Sequence, residues 1–367
     1  MFNATLANMA TPWDGDRDDT LLCRAVRQET HDVRTFVFSA PAPRLFRYAP
    51  GQFITLELEI GGQAVQRCYT LSSTPSRPDT VSITVKRVPG GQVSNWLHDN
   101  LAPGAQIRVR GPSGGFSCFL QPMPTREKYL FLSAGSGITP LMSMTRAMHD
   151  LVLDADIAFV HSARTPDDII FARELELMAY NRDGLFRLGA VCERRGAQPA
   201  WAGFNGFLNL AVLQNVAPDF RERKVYTCGP APYMAAVRAM LEGAGFDMAG
   251  YHEESFSFAA LAQAGAEAEA PPAQAAEGAG QGFRVSFSRS GDELTCAPGQ
   301  TILAAARAAG VRMPISCTQG MCGTCKTRMT AGQVDMRHAG GIRQREIDQG
   351  WILPCCSKPL ADVVLDR

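Results

Sequence analysis

At 367 residues the chain is long enough for two or three domains that each bury a core. Its 36 Lys and Arg balance 36 Asp and Glu, so the formal net charge is zero and neither nucleic acid nor an anionic membrane surface is indicated as a partner. No apolar run approaches about 18 residues, the start Met1-Phe-Asn-Ala-Thr5 lacks the regions of a signal peptide, and Cys23, Cys68, Cys118, Cys192, Cys228 and Cys296 are scattered through apolar contexts. These features point to a cytoplasmic protein with free thiols rather than a disulfide framework.

Residues 1–17 are polar and rich in Asp, and no fold is assigned to them. Between 18 and 124 apolar and polar residues alternate in short runs, among them Val33-Arg-Thr-Phe-Val-Phe38, Phe53-Ile-Thr-Leu-Glu-Leu58, Val81-Ser-Ile-Thr-Val-Lys86 and Gln106-Ile-Arg-Val-Arg110. Many short strands punctuated by Pro and Gly predict an antiparallel β-barrel or sandwich. From 125 to 258 apolar strands (Tyr129–Leu132, Ile157–Val160, Val225–Thr227) alternate with helical stretches (Leu141–Asp150, Phe171–Tyr180). That alternation predicts an α/β domain with a parallel sheet. Residues 259–281 are almost wholly Ala, Gly, Glu, Gln and Pro, and Pro271-Pro272 interrupts the helix that Ala and Glu would support. The segment reads as a linker. As a flexible coil it spans on the order of 25 to 30 Å, enough to let a last domain, 282–367, move.

Each predicted domain carries a chemical motif. The first holds Arg67-Cys68-Tyr69-Thr70-Leu-Ser72-Ser73, then Thr84-Val85-Lys86-Arg87, then Gly90-Gly91-Gln92-Val93-Ser94-Asn-Trp96. Together these offer a cation for a pyrophosphate, an aromatic ring that can cover a flavin face, a hydroxyl for its edge, and glycines that let backbone N–H groups reach phosphate. Alone, Arg-x-Tyr-Thr is also what a strand end with a solvated charge looks like. The second domain opens with Leu132-Ser-Ala-Gly135-Ser-Gly137-Ile-Thr139-Pro140, a Gly-rich turn into a helix where a dinucleotide phosphate can sit, with Pro140 in place of the third glycine of G-x-G-x-x-G. Later comes Thr227-Cys228-Gly229-Pro230-Ala-Pro-Tyr-Met234, in which Cys228 taken alone reads as a buried strand-end thiol. The strand Ile157–Val160 runs into His161-Ser162-Ala-Arg164 with acids only at Asp167 and Asp168. The acidic residue by which a Rossmann-type site selects NAD is therefore not at its usual place. Ser162 and Arg164 can hold a 2′-phosphate, or Arg164 can be a solvated loop cation.

The third domain holds Cys317-x4-Cys322-x2-Cys325 and, thirty residues on, Cys355, the plant-type spacing for a [2Fe–2S] cluster. Four soft sulfur ligands also suit zinc, but zinc sites more often pair two short knuckles, whereas one loop here carries three ligands with Gly320 and Gly323. Cys356 sits one place too late and reads as a small buried thiol.

This segment resembles plant-type ferredoxins, down to Gly350-Trp-Ile-Leu-Pro-Cys355. The region before it resembles the ferredoxin–NADP reductase superfamily, in which a barrel precedes a nucleotide domain. That resemblance implies FAD held around Arg67-Cys68-Tyr69-Thr70, Thr84-Val85-Lys86 and Gly91-Gln92-Val93-Ser94. Arg67 and Ser94 would bind the pyrophosphate, Tyr69 would stack on the flavin, and Thr70, where the family usually has Ser, would meet its reactive nitrogen. It further implies a nicotinamide nucleotide, mostly NADH in the reductases most resembled, at Gly135, Gly137, Thr139, Pro140, Ser162, Arg164, Cys228, Gly229, Pro230 and Met234. Tyr251-His252-Glu253-Glu254-Ser255-Phe256 resembles the family's tail, with Glu254 near the hydride path and Phe256 over the ring; the bland alternative is a terminal strand with one core aromatic.

A hydride brings two electrons and a cluster accepts one, so the intervening flavin must divide the pair. The domain order resembles the single-chain reductase components of Rieske-type oxygenases, particularly those that demethylate quaternary amines such as glycine betaine and carnitine. It implies a separately encoded oxygenase as partner. The reductase of the hybrid-cluster protein has a similar architecture, and a self-contained reductase of a small molecule or oxygen, or a redox sensor, are the other classes.

Overall fold

In the computed structural model the described residues are 11–15, 17–121, 126–182, 184–197, 201–255, 282–313, 320, 323, 325–338, 342 and 344–367. The predicted linker, Phe256, Cys317 and Cys322 lie outside them. The first sheet is antiparallel and built from β1 (Thr20–Thr30), β2 (Val33–Ser39), β3 (Phe53–Ile60), β4 (Gln63–Thr70), β5 (Val81–Lys86) and β6 (Gln106–Ser113), in the order β4-β3-β6-β1-β2-β5. A bridge between Leu71 and Ile83 joins the two edge strands, so the sheet closes into a barrel. The period-two pattern sends Phe36, Phe38, Leu56, Ile83 and Val85 inward, and α1 (Gln92–Asn100) adds Val93 and Leu97 to the same core. The N-terminal segment differs from the expectation of no fold. Thr11–Pro12 pairs with Arg44–Leu45, and Trp13 is buried in the barrel core with its indole N–H donating to Gly111 O at 2.9 Å. One large apolar ring docks a stretch whose average composition is polar.

The second domain contains β7 (Glu127–Ala134), α2 (Ile138–Asp150), β8 (Ala155–Ala163), α3 (Ala172–Asn181), β9 (Phe186–Cys192), β10 (Phe204–Asn205), α4 (Leu210–Val216), β11 (Lys224–Gly229), α5 (Ala231–Gly243) and β12 (Tyr251–Ser255). Every pairing in its sheet is parallel, in the order β10-β9-β8-β7-β11-β12. Both faces are covered, which is why these strands read as near-continuous apolar runs. The order reverses between β7 and β11, and the crevice at that switch point is where open α/β sheets bind ligands. Val33, Phe116 and Cys118 from the barrel side share a core cluster with Phe131, Met142 and Phe159 of the sheet domain. Accordingly, 1–257 forms one compact unit.

Residues 258–367 form the second unit. It contains β13 (Phe283–Phe287), β14 (Glu293–Cys296), α6 (Ile302–Ala308), β15 (Thr327–Ala331), β16 (Val334–Met336), α7 (Gln344–Asp348), β17 (Trp351–Ile352), β18 (Ser357–Pro359) and β19 (Val363–Leu365). The main sheet runs β14-β13-β19-β15-β17, with only β13 and β19 parallel, and β16 pairs with β18. Thr301 caps α6 by accepting the Ala304 N–H (3.3 Å), and the helix lays Ile302, Leu303 and Ala306 on this mixed sheet. The arrangement is the α+β grasp expected of a ferredoxin domain.

Candidate functional site

At the end of β4, Thr70 is buried and its Oγ1 has no partner among the described residues. An enclosed hydroxyl left unbonded costs roughly 1–3 kcal/mol, so Thr70 has an unspent donor and acceptor that suit a bonding ligand atom. Tyr69, beside it, is half-buried, and burial pushes its phenol above the usual range while Arg67 pulls the other way. Cys68 Sγ lies 3.2 Å from Thr55 Oγ1. Of the next motif, Thr84 Oγ1 is already bonded to Thr35 and Ser72 (2.8 Å each), Val85 is in the barrel core, and Lys86 pairs with Asp32 at 3.0 Å. At the start of α1, Ser94 Oγ accepts from Val88 N–H and donates to Gly91 O, Val93 points into the core and Gln92 is exposed. No side chain caps that helix at Gly91, which leaves its first N–H groups without a capping acceptor.

At the switch point, the turn from β7 into α2 lies hard against the end of β11. A Cβ on Gly137 would stand 2.3 Å from Cys228 O and 2.6 Å from Gly229 N, so only glycine lets the two strand ends approach. Thr139 Oγ1 donates to Ser136 O (3.1 Å), Pro140 is in the first turn, and α2, like α5 at Pro230, begins without a side-chain cap. Strand register then aligns four polar side chains on neighbouring strands: His161 opposite Ser133, Ser133 opposite Cys228, and Cys228 opposite Glu254. His161 Nδ1 meets Ser133 Oγ at 2.8 Å, and burial drives the imidazole down to about 3, so it is neutral. Burial raises the Cys228 thiol, as does the charge of Glu254. Glu254 Oε2 is enclosed without a partner among the described residues, and burial lifts its carboxyl to about 8.

Ser162 Oγ is likewise enclosed, with the Tyr233 phenol beside it. Arg164 is exposed, and its carbonyl accepts from the Arg194 N–H at 2.9 Å. Met234 is turned inward, its sulfur accepting from Thr227 Oγ1 at 3.8 Å. Motif reading passes over His161, Ser133 and Tyr233 because nothing local marks them. It also passes over Ser143 and Arg146, although Thr139, Ser143, Arg146 and Asp150 form a polar stripe at helical spacing along a largely apolar helix. That stripe was the available signal.

In the second unit, the pairing of Thr327 with Ile352 brings Cys325, just before β15, and Cys355, just after β17, to neighbouring strand ends. Both are buried in that unit's core, and the loop before Cys355 is pinned by the Leu303 N–H bond to Pro354 O (3.0 Å). Cys356 is half-buried, with its thiol 3.5 Å from Leu353 O. Two soft thiols at one end of a rigid sheet suit a sulfur-ligated metal group.

A closed barrel with an unsatisfied hydroxyl, a parallel sheet with a switch point beside a Gly-rich turn and a thiol-bearing grasp domain are the architecture of a pyridine-nucleotide-dependent flavin and iron–sulfur oxidoreductase. Family models match in the same order: an oxidoreductase FAD-binding domain over 22–118, an oxidoreductase NAD-binding domain over 131–239 and a 2Fe-2S iron-sulfur cluster binding domain over 286–360. The glycine betaine monooxygenase reductase subunit of Pseudomonas aeruginosa is 51% identical over 351 residues, 94% of each chain. The stachydrine N-demethylase reductase subunit of Rhizobium meliloti is 43% identical over 95% of this chain and 96% of its own. Phthalate dioxygenase reductase, a solved structure, is 26% identical with a TM-score of 0.54 and coverage of 95% and 97%. The chain belongs to the family of FAD- and [2Fe–2S]-containing reductase subunits of oxygenase systems.

Proposed function

We propose that the chain takes hydride from NADH and passes electrons one at a time through its cluster to a separately encoded, Rieske-type oxygenase that demethylates a quaternary amine of the glycine betaine kind. The 51% identity, spread over 94% of both chains, carries the substrate class. Bound FAD supplies the conversion of a two-electron donor into single electrons. Arg67 and Ser94 with the open start of α1 hold its pyrophosphate, Tyr69 covers the ring, and the orphaned Thr70 hydroxyl bonds at the reactive edge. The turn Gly135–Pro140 and the start of α5 at Pro230 receive the nicotinamide nucleotide, and Cys228 lines its reactive end. Glu254 holds a proton at its carboxyl at neutral pH, within the row that includes Cys228. Cys317, Cys322, Cys325 and Cys355 ligate the cluster.

We keep the domain boundaries 18–124, 125–258, 259–281 and 282–367, with the barrel extended to take in the docked residues 11–13. We place the protein in the cytoplasm: no disulfide occurs among the described cysteines, and no described helix is long and apolar enough to cross a membrane. The test mixes the holoprotein with a glycine betaine oxygenase component under air and follows NADH loss and formaldehyde. Matched, amine-dependent consumption is expected. NADH oxidation that needs no oxygenase would instead assign a self-contained reductase, and a preference for NADPH would reassign the donor to the Ser162 and Arg164 end of β8.

A further inference from the structure

The loop that follows Thr70 is gripped from two sides. On the barrel side Leu71 N–H donates to Gln52 O (2.9 Å), Ser72 N–H donates to Ser82 O (2.8 Å), and Ser72 Oγ meets Thr84 Oγ1. On the other side stands α2. Ser143 Oγ donates to Ser73 O at 2.5 Å, Arg146 Nη1 donates to Ser72 O, and Asp150 accepts from Ser76 Oγ (2.6 Å) and, at the rim, from Arg77.

Arg146 is itself immobilised. Its Nε and Nη2 donate to the two carboxylate oxygens of Glu174 at 2.8 and 2.5 Å, and its guanidinium carbon lies 4.5 Å from the centroid of the Phe171 ring. Phe171 has φ +60, a left-handed conformation that a bulky residue adopts only under constraint. The side chain of Arg146 is 13% exposed. A planar, fully charged fork held on three sides is a rigid strut rather than a surface cation.

The start of the same helix is the nucleotide turn, with Gly137 wedged against Cys228 and Gly229. Arg146 lies seven residues beyond Thr139, about 10 Å along the axis. One helix therefore carries the nicotinamide end of the site on its first turn and holds, farther along, the carbonyl two residues past Thr70.

We propose that Arg146, assisted by Ser143, is a positioning residue for hydride transfer: through Ser72 and Ser73 it sets the distance between Thr70 and the Cys228 end of the nucleotide crevice, and hence the reach of nicotinamide C4 to flavin N5. Bound there, the nicotinamide would supply a hydride with its two electrons from C4 and the flavin would accept it at N5, the first being oxidised as the second is reduced. Arg146 is bound to Glu174, Ser72 O and the Phe171 ring, so its role is to position and not to exchange a proton. The inference rests on the reading of Thr70 as the residue at the flavin's reactive nitrogen. Its leverage comes from distance, because a misplacement of about 1 Å costs on the order of a hundredfold in rate.

The test uses the full-length holoprotein and compares Arg146→Met, Arg146→Lys, Ser143→Ala, Asp150→Asn and Thr70→Val. Four quantities are read: the limiting rate of flavin reduction with NADH and with 4-deuterated NADH, FAD content, the melting temperature, and the long-wavelength charge-transfer absorbance of NAD⁺ on the reduced flavin. Arg146→Met is expected to slow reduction roughly ten- to a hundredfold, with a full deuterium effect, unchanged FAD content and a weakened charge-transfer band. Arg146→Lys recovers part of the loss, and Ser143→Ala moves rate and band the same way by roughly three- to tenfold. Asp150→Asn lowers the melting temperature and leaves rate and band alone, because it loosens the rim without touching Ser72 or Ser73. If Arg146→Met and Ser143→Ala leave rate and band unchanged while Thr70→Val slows reduction, the positioning role is wrong and the Thr70 reading stands. If Thr70→Val has no effect either, the Thr70 reading itself fails. Should Arg146→Met not fold, Ser143→Ala decides.

Discussion

The two compact units are built on opposite principles. In 1–257 the barrel and the parallel sheet share a core, with Val33 and Phe116 packed among Phe131, Met142 and Phe159. Among the described residues the second unit's core cluster runs from Val285 to Leu365, and the thiols Cys325 and Cys355 belong to it. The difference follows the two transfers. A hydride moves between atoms about 3 Å apart in a fixed orientation, so the elements that hold its donor and acceptor gain from a common core. Single electrons leave the cluster without making a bond, so the cluster can be housed in a body that packs on its own. The first unit holds its enclosed, unsatisfied polar atoms near the strand ends, and the second holds the proposed cluster thiols Cys325 and Cys355 inside its core.

The largest expected effect tests whether the second unit depends on its metal. Cys355→Ser should abolish the [2Fe–2S] absorbance and lower that unit's melting transition, while FAD content and NADH-driven dye reduction persist. Cys356→Ser should keep the cluster. Loss of flavin along with the cluster would show that the units are not independent, and cluster loss in Cys356→Ser alone would move the fourth ligand.

The next effect strikes the shared body from far outside the site. Arg223, with a fully buried side chain, spends every guanidinium N–H: on Asp219 (2.8 and 2.9 Å), on Asp156 (2.9 Å), and on the carbonyls of Tyr129 and Asp156 (3.0 Å each). Arg223→Ala leaves Asp156 to Arg187, leaves Asp219 to Lys128 and Arg187, and takes the shared donor from the carbonyls of Tyr129 and Asp156; it should cost the first unit about 1–3 kcal/mol, read by chemical denaturation, with the cluster spectrum unchanged. A matching loss in the second unit would contradict the separation of cores.

Within the flavin pocket, Thr70→Val should slow flavin reduction about a hundredfold, and Thr70→Ser should retain most of it. The flavin-free Thr70→Val protein should be more stable by about 1 kcal/mol, since an orphaned hydroxyl gives way to a methyl. Equal rates for the Val and Ser variants would remove Thr70 from the reacting edge.

A smaller effect is carried by pH. Burial raises the Glu254 carboxyl from 4.5 to about 8 in the folded chain. Between those values the folded state binds a proton that the unfolded state has lost, so this group's contribution to stability falls as pH rises through the window and stays low above it. Glu254→Gln should flatten that slope and make the flavin-free protein more stable than the parent above pH 8, as measured by denaturation at pH 6 and pH 9. A parallel pair of pH profiles would show that the carboxyl ionises freely.

Much of this architecture was legible in the residues themselves. Period-two runs marked the barrel, strand–helix alternation marked the parallel sheet, and the spacing from Cys317 to Cys355 marked the cluster loop, because each signal is local and repeats along the chain. Strands without a clean pattern, such as Phe186–Cys192, and the short helices Gln92–Asn100 and Leu210–Val216 were not separable from loops on that basis. Trp13 was hidden in a polar stretch, and only the barrel's core accounts for it.

The sequence by itself determined the order of the domains and the chemistry each one carries, since periodicity and ligand spacing are properties of neighbours along the chain. Tertiary structure decided the rest: that Gly137 meets the Cys228 peptide, that His161, Ser133, Cys228 and Glu254 fall into one row, and that Arg146 reaches the carbonyl of Ser72. Such contacts join residues tens of positions apart, and their partners are chosen by strand register and shared packing, which no local pattern encodes.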